Sequence, residues 1–450
     1  MSRELLDNII TTEELRLKAP AKRVNGEANR LQDIDRPVHS WFRFVLSYPP
    51  HFVREYLRRF ELDESSRVLD PFCGTGTTLV ECKKNGVGSV GIESNPMALF
   101  ASQVKTNWSP DPAGLVEYAG KIAQAASEII RSHGLGSSSP DHIAMHGDRG
   151  LRTLDSERMS LLLSNSISPL PLHKTLILLE VLEQNRDDRY YSHARLALAN
   201  ALVSSIGNLH FGPEVGVGRP KTDAPVVECW MCLIHEMARD LRGLASNGGA
   251  MSCALFGDAR DLRGALEPTS IDAVITSPPY PNEKDYTRTT RLESVLLGFV
   301  NSKRELRDLK KNLIRSNTRG VYRDDDDGKW VEQFPGIQNL ADAIETRRLE
   351  LGKTSGFERM YSRVVRLYFG GMARHFAELR PALRPGARLA YVVGDQASYL
   401  QVMIRTGQVL AEIAESLGYE VSGVDLFRTR MATATRQELR EEVLLLRWPG

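Results

Sequence analysis

The sequence predicts a doubly wound α/β fold, built on a mostly parallel sheet and enlarged by a mostly helical inserted region. Three observations predict it. Short apolar strand patterns end in polar turns and pass into helical patterns, as at Arg67–Leu69 and Ser89–Ile92, and strand-helix-strand spacing of this kind forms right-handed parallel crossovers. A long stretch of helical periodicity, broken by clusters at Ser132–Ser139 and Ser246–Gly249, separates the second strand from the third. Strand patterns then resume and run to the carboxyl end.

Taken in order, residues 1–34 are polar and partly helical, with Thr12 placed to cap a short helix. An aromatic-rich stretch, D-R-P-V-H-S-W-F-R-F-V-L-S-Y-P-P, leads to a helical pattern from His51 to Phe60. The strand Arg67–Leu69 runs into Asp70, Pro71 and a glycine-threonine loop, and a helix follows from Leu79. A second strand, Ser89–Ile92, ends at Glu93. Later strands are expected at Ala254–Phe256, Ile271–Ile275, Arg388–Val393, Glu420–Leu426 and Glu442–Trp448. The expected division is one discontinuous α/β unit (35–96, 251–299 and 356–450), a helical insertion at 97–250 and a basic insertion at 300–355. No internal repeat is evident.

Composition narrows the class. The chain has 450 residues, 42% hydrophobic and 26% charged, the balance of a globular protein with room for a sizeable core. No apolar run approaches the ~20 residues of a membrane span, and the amino terminus has no signal-peptide core, so a cytoplasmic protein without membrane partners is expected. A net charge of +1 means that any nucleic-acid affinity must come from local basic patches. Five cysteines are too sparse for a disulfide framework. Cys229 and Cys232, with His235 nearby, fit helix packing better than a zinc site, which needs a fourth ligand. No metal is expected.

Two loops carry chemistry. In D-P-F-C-G-T-G-T-T, Asp70 to Thr78, Gly74 and Gly76 let the backbone turn sharply and approach a ligand at the carboxyl end of a strand. No G-K-[ST] follows and the third glycine of the dinucleotide fingerprint is missing, which excludes both phosphate-loop patterns. Glu93 stands seventeen positions after Gly76, near the ~20-residue spacing at which an acidic group meets ribose hydroxyls. A nucleoside-containing cofactor is therefore expected. Asp258, after the third strand, either caps a helix or accepts from an adenine amine. The second loop is Thr276-Ser277-Pro278-Pro279-Tyr280. Consecutive prolines fix the backbone and bring no N–H donors, leaving the Ser277 oxygen and the Pro278 carbonyl as acceptors for the two hydrogens of an exocyclic amine. Tyr280 adds a flat face on which an extruded base can stack. The plainer alternative is a polyproline turn closing a strand.

Together these motifs resemble the amino-methyltransferases of DNA: D-P-F-x-G-x-G-T is similar to their cofactor motif, and S-P-P-Y to the catalytic motif of the N4-cytosine group. The likeness extends to the aromatic stretch before the glycine loop and covers a minority of the chain. It implies a methyltransferase-type Rossmann-like sheet and a site-specific DNA-methyltransferase. S-adenosyl-L-methionine would be held by Asp70, Pro71, Phe72, Gly74, Gly76, Thr77, Glu93, Asp258 and Ala259. The base would be held by Ser277, Pro278, Pro279 and Tyr280. Adenine-methylating relatives usually carry Asp or Asn where this chain has Ser277, so N4 of cytosine is preferred over N6 of adenine. Methylation of cytosine C5 needs a cysteine nucleophile, typically after proline, and no Pro-Cys pair occurs; Cys73 reads as a small loop residue. In this chain the cofactor motif precedes the catalytic one, whereas many N4-cytosine enzymes place S-P-P-Y first. RNA base methylation and a non-catalytic nucleic-acid-binding protein are the competing readings.

Double-stranded DNA is the implied partner, with a cognate restriction endonuclease and a homodimer as further candidates. Asn301–Arg323 carries eight Lys and Arg against Glu305 and Asp308, either a solvated helix face or a phosphate-tracking surface. Arg288, Arg291, Lys310, Lys311, Arg315 and Arg319 are the expected DNA contacts. Asp324–Asp327 is expected to be a solvated acidic loop. Target recognition is assigned to 97–250, with help from 300–355.

Overall fold

The structure is a computed structural model describing residues 31–42, 47–133, 150–211, 215–244, 250–431 and 438–450. The expected Thr12 cap, the cluster Ser246–Gly249 and most of Ser132–Ser139 lie outside the described residues. The strands are β1 (Arg67–Asp70), β2 (Gly88–Glu93), β3 (Leu209–Phe211), β4 (Val215–Val217), β5 (Ser252–Phe256), β6 (Ile271–Thr276), β7 (Leu383–Gly394), β8 (Glu420–Met431) and β9 (Glu438–Arg447). Among the described residues, β3 and β4 form a separate hairpin and the other seven form one sheet in the order β5-β2-β1-β6-β7-β9-β8. Pairing is parallel from β5 through β7, and β9 runs antiparallel to both its neighbours. The strand order reverses between β1 and β6. In a doubly wound sheet that switch point is where ligands bind, just beyond the carboxyl ends of the strands.

The longer helices are α1 (Pro50–Arg59), α2 (Thr77–Lys84), α3 (Pro96–Thr106), α4 (Pro112–Ser132), α5 (Pro169–Gln184), α6 (Tyr191–Ala201), α7 (Val226–Leu244), α8 (Lys303–Lys311), α9 (Pro335–Glu350), α10 (Tyr361–Leu379) and α11 (Thr406–Ser416). Successive strand side chains point to opposite faces, and both faces are covered. Val68, Ala273 and Ile275 pack with Phe52, Val53 and Tyr56 of α1. Their neighbours Leu69 and Val274 pack with α10 and α11, through Phe369, Phe376, Leu410 and Ile413. This explains why the strands read as nearly continuous apolar runs.

The insertion shares one core with α2, α3 and the stretch 292–309. Leu115, Ala119, Ile122 and Ala126 of α4 meet Trp230, Ile234, Met237 and Leu241 of α7, each set spaced as one apolar stripe of a helix. Its expected start at residue 97 falls inside α3, which packs on β2 and β5; the extra layer begins at α4. The insertion expected at 300–355 also divides. Most of α8 faces solvent, but Ile314, Val331, Ile337 and Ile344 enter the core beneath the sheet with α10. Cys229, Cys232 and His235 stand on α7, and no cluster suited to a metal ion occurs among the described residues. No described helix is long and apolar enough to cross a membrane.

Candidate active site

A cavity of about 260 Å³ opens at the carboxyl ends of β1 and β6. Its walls are the loop Pro71–Thr75, the end of β2, the turn after β5, Ser277–Tyr280 after β6, the stretch 312–317, and Phe427, Arg428 and Glu441 from β8 and β9. The two motifs thus share one chamber.

Asp70 ends β1 with 1% exposure. It accepts from Tyr48 Oη at 2.8 Å, Thr276 Oγ1 at 2.6 Å and the Phe72 amide at 3.1 Å, and burial raises its carboxyl above the usual range. Since Thr276 directly precedes Ser277, Asp70 ties the glycine loop to the proline turn. Gly76 adopts φ +82°, and a Cβ there would come within 2.9 Å of Ser102 Oγ on α3, so its missing side chain serves loop packing. Of the nine residues expected to hold the cofactor, Pro71, Phe72, Gly74, Thr77, Glu93, Asp258 and Ala259 line the cavity; Asp70 and Gly76 do not.

Glu93 accepts the Gly74 amide at 2.8 Å and the Asn95 amide at 2.7 Å, one on each oxygen, leaving further lone pairs on both. Burial pushes its pKa up to about 7. Asp258 lies two residues beyond β5 and is held by Arg260, whose Nη2 donates to it at 2.6 Å and whose Nη1 donates to Asp327 at 2.5 Å. Phe72 forms an apolar wall, edge-on to His375 at 5.0 Å.

Beyond β6, the Ser277 hydroxyl donates to the Val392 carbonyl of β7 at 3.3 Å, which engages its hydrogen and leaves its lone pairs as acceptors. Tyr280 is fixed at several points. Its hydroxyl donates to Glu441 at 2.9 Å, its amide meets Tyr286 Oη at 3.5 Å, and a Cβ on Gly394 would lie 3.0 Å from its ring. The other Glu441 oxygen accepts from Arg428 Nε. Sequence reading missed Tyr48, Tyr286, Arg428 and Glu441. Only Tyr48, in the aromatic stretch before the glycine loop, left a local signal.

Residues 22–103 match a family model described as DNA methylase, of the N6/N4 type. Over that segment the chain is similar to the N6/N4 DNA methylases. Among curated relatives, the chain is 25% identical to the Type II methyltransferase M.BsoBI of Geobacillus stearothermophilus over 445 residues, 92% of this chain and 84% of that one. It is 24% identical to the Type II methyltransferase M.AvaI of Nostoc sp. over 453 residues, 95% and 89% of the two chains. A shorter match, 34% over 68 residues, joins it to the Type II methyltransferase M.MjaII of Methanocaldococcus jannaschii, covering 15% and 13%. Among solved structures, TrmN of Thermus thermophilus aligns at 11% identity over 92% of this chain and 52% of that one, with a TM-score of 0.29.

The expected DNA contacts divide sharply. Arg315 is a correction: it is 4% exposed, bound to Asp325 at 2.7 Å and to the carbonyl of Lys310 at 2.9 Å. Lys310 is likewise held by Asp285 at 2.7 Å. Arg291 donates to Thr287 and to the Leu161 carbonyl, and Arg288 is half-buried. Lys311 pairs with Asp324 in the open, and Arg319 is exposed over the Phe357 ring. The acidic run is also corrected. Asp325 and Asp327 are not solvated; they neutralise Arg315 and Arg260.

Proposed function

We propose that this protein is a site-specific DNA methyltransferase that modifies the exocyclic N4 amine of cytosine in a base extruded from duplex DNA. The observation that carries the reading is the junction of the two motifs in one cavity, with Asp70 hydrogen-bonded to Thr276 behind them. The lining suits S-adenosylmethionine: Glu93 offers acceptors for ribose hydroxyls and Phe72 an apolar face, at the strand ends where nucleosides bind. When bound, that cofactor supplies an electrophilic methyl group. The protein's own residues do the positioning. Ser277 Oγ and the Pro278 carbonyl accept the two amine hydrogens, which draws the nitrogen lone pair out of conjugation with the ring. Tyr280, held by Glu441 and resting on Gly394, gives the base a rigid face. Extrusion is required because a stacked base cannot reach the cavity. Exposed Arg319 and Lys311 are assigned to the DNA backbone.

The test is methylome sequencing of DNA from cells expressing the protein, with nucleoside mass spectrometry of the product. N4-methylcytosine at a defined site is expected. N6-methyladenine, or methylation of RNA alone, would overturn the reading.

A further inference from the structure

Arg428 of β8 lines the same cavity and has a role that the steps above leave unused. Its Nε donates to Glu441, whose second oxygen receives the Tyr280 hydroxyl at 2.9 Å. The guanidinium is therefore anchored at one edge, close to the proline turn. Its side chain is 28% exposed, and among the described residues nothing accepts from Nη1 or Nη2. Other cations in the wall are committed elsewhere: Lys310 to Asp285, and Arg315 to Asp325. An arginine fixed through its inner nitrogen, with both outer nitrogens unengaged, is a pre-oriented fork for two adjacent acceptors.

The two candidate bases differ at that point. Along its pairing edge, cytosine carries the N4 amine and then N3 and O2, two acceptors side by side. Adenine carries N6, one acceptor at N1, and then a C2–H that accepts nothing. With the amine held by Ser277 and Pro278, only cytosine presents a pair of acceptors that a guanidinium fork can match. We infer that Arg428 binds N3 and O2 of the extruded cytosine and is the residue that selects cytosine over adenine, an assignment that rests on the function proposed above.

The test uses the full-length protein and two duplexes that differ only in having cytosine or adenine at the target position defined by the methylome. Arg428→Lys keeps the charge and the pairing with Glu441 but has no fork. The double variant Arg428→Gln/Glu441→Gln keeps the wall neutral. Both are expected to retain the melting temperature and, by calorimetry, S-adenosylmethionine affinity within a few-fold. Both should lose kcat/KM and affinity on the cytosine duplex by on the order of 10- to 100-fold. The adenine duplex should be bound as before, so that the preference collapses. Equal losses on both duplexes, undiminished cytosine transfer, or lost cofactor binding in the lysine variant would each overturn the inference. Failure of the underlying reading is distinguishable, because it would show in the wild-type product before any variant is made, and it would take the role of Arg428 with it.

Discussion

In the proposed reaction Ser277 offers the target amine a neutral acceptor, its own hydrogen being engaged by Val392. Ser277→Ala should therefore lower kcat by roughly 10- to 100-fold, the loss of one hydrogen bond at the reacting nitrogen that leaves an amine hydrogen unpaired in the cavity. Calorimetric affinity for S-adenosylmethionine should stay within a few-fold; undiminished turnover would remove Ser277 from the reaction. Glu93 yields a pH dependence with a definite sign. Burial raises its pKa to about 7, so the protonated form accumulates below that pH and the acceptor for ribose hydroxyls is weakened. Cofactor affinity should rise roughly tenfold between about pH 6 and 8, and this rise should vanish in Glu93→Gln. An equal rise in both proteins would place the titration elsewhere. At this scale the strand-end motifs were legible because each is a continuous run: Asp70–Thr78 and Thr276–Tyr280 announce themselves by glycine and proline. Glu441, which meets Tyr280, and Arg428, which meets Glu441, were not, because both stand on strands more than a hundred residues from Tyr280, and nothing near them in sequence marks them.

The elements around the cavity are joined by buried ion pairs. Arg260, 6% exposed, is clamped between Asp258 after β5 and Asp327, which begins the 3-10 turn beside α10. Arg315 is clamped in the same manner by Asp325. Removing one partner leaves an uncompensated buried charge, so Arg260→Ala and Arg315→Ala should each destabilise the fold by about 3–5 kcal/mol in denaturant unfolding. A surface role for Arg315 would leave the unfolding midpoint unmoved and change the salt dependence of DNA binding instead. Element existence was readable from periodicity and edge residues, as with β6 and α7. Burial within the charged stretch was not. Arg315 and Asp325 are ten residues apart, each in a run of like charge, and sequence alone cannot show that two oppositely charged runs neutralise each other beneath the surface.

At the level of the whole molecule, the sheet devotes its switch point to the cavity and has little surface left to read neighbouring base pairs. The helical layer that begins at α4 and ends at α7 leaves the sheet after β2 and returns at β5, next to Asp258. We therefore assign it target recognition. Exchanging residues 112–244 for the equivalent layer of a similarly arranged methylase should move the methylated sequence and leave the modified base unchanged. A folded hybrid that still modifies the original site would place recognition elsewhere.

The bond between Asp70 and Thr276 spans 206 positions of chain, and this sets an order of events during synthesis. The helices between β2 and β5 pack chiefly on one another and can assemble while the ribosome is still extending the chain. The central strand β6 cannot pair with β1 until that whole layer has emerged, and Glu441 arrives later still. The nascent polypeptide is therefore a helical body carrying half a sheet, without a chamber for a base. The chamber is complete only once Glu441 has joined Tyr280 in its wall.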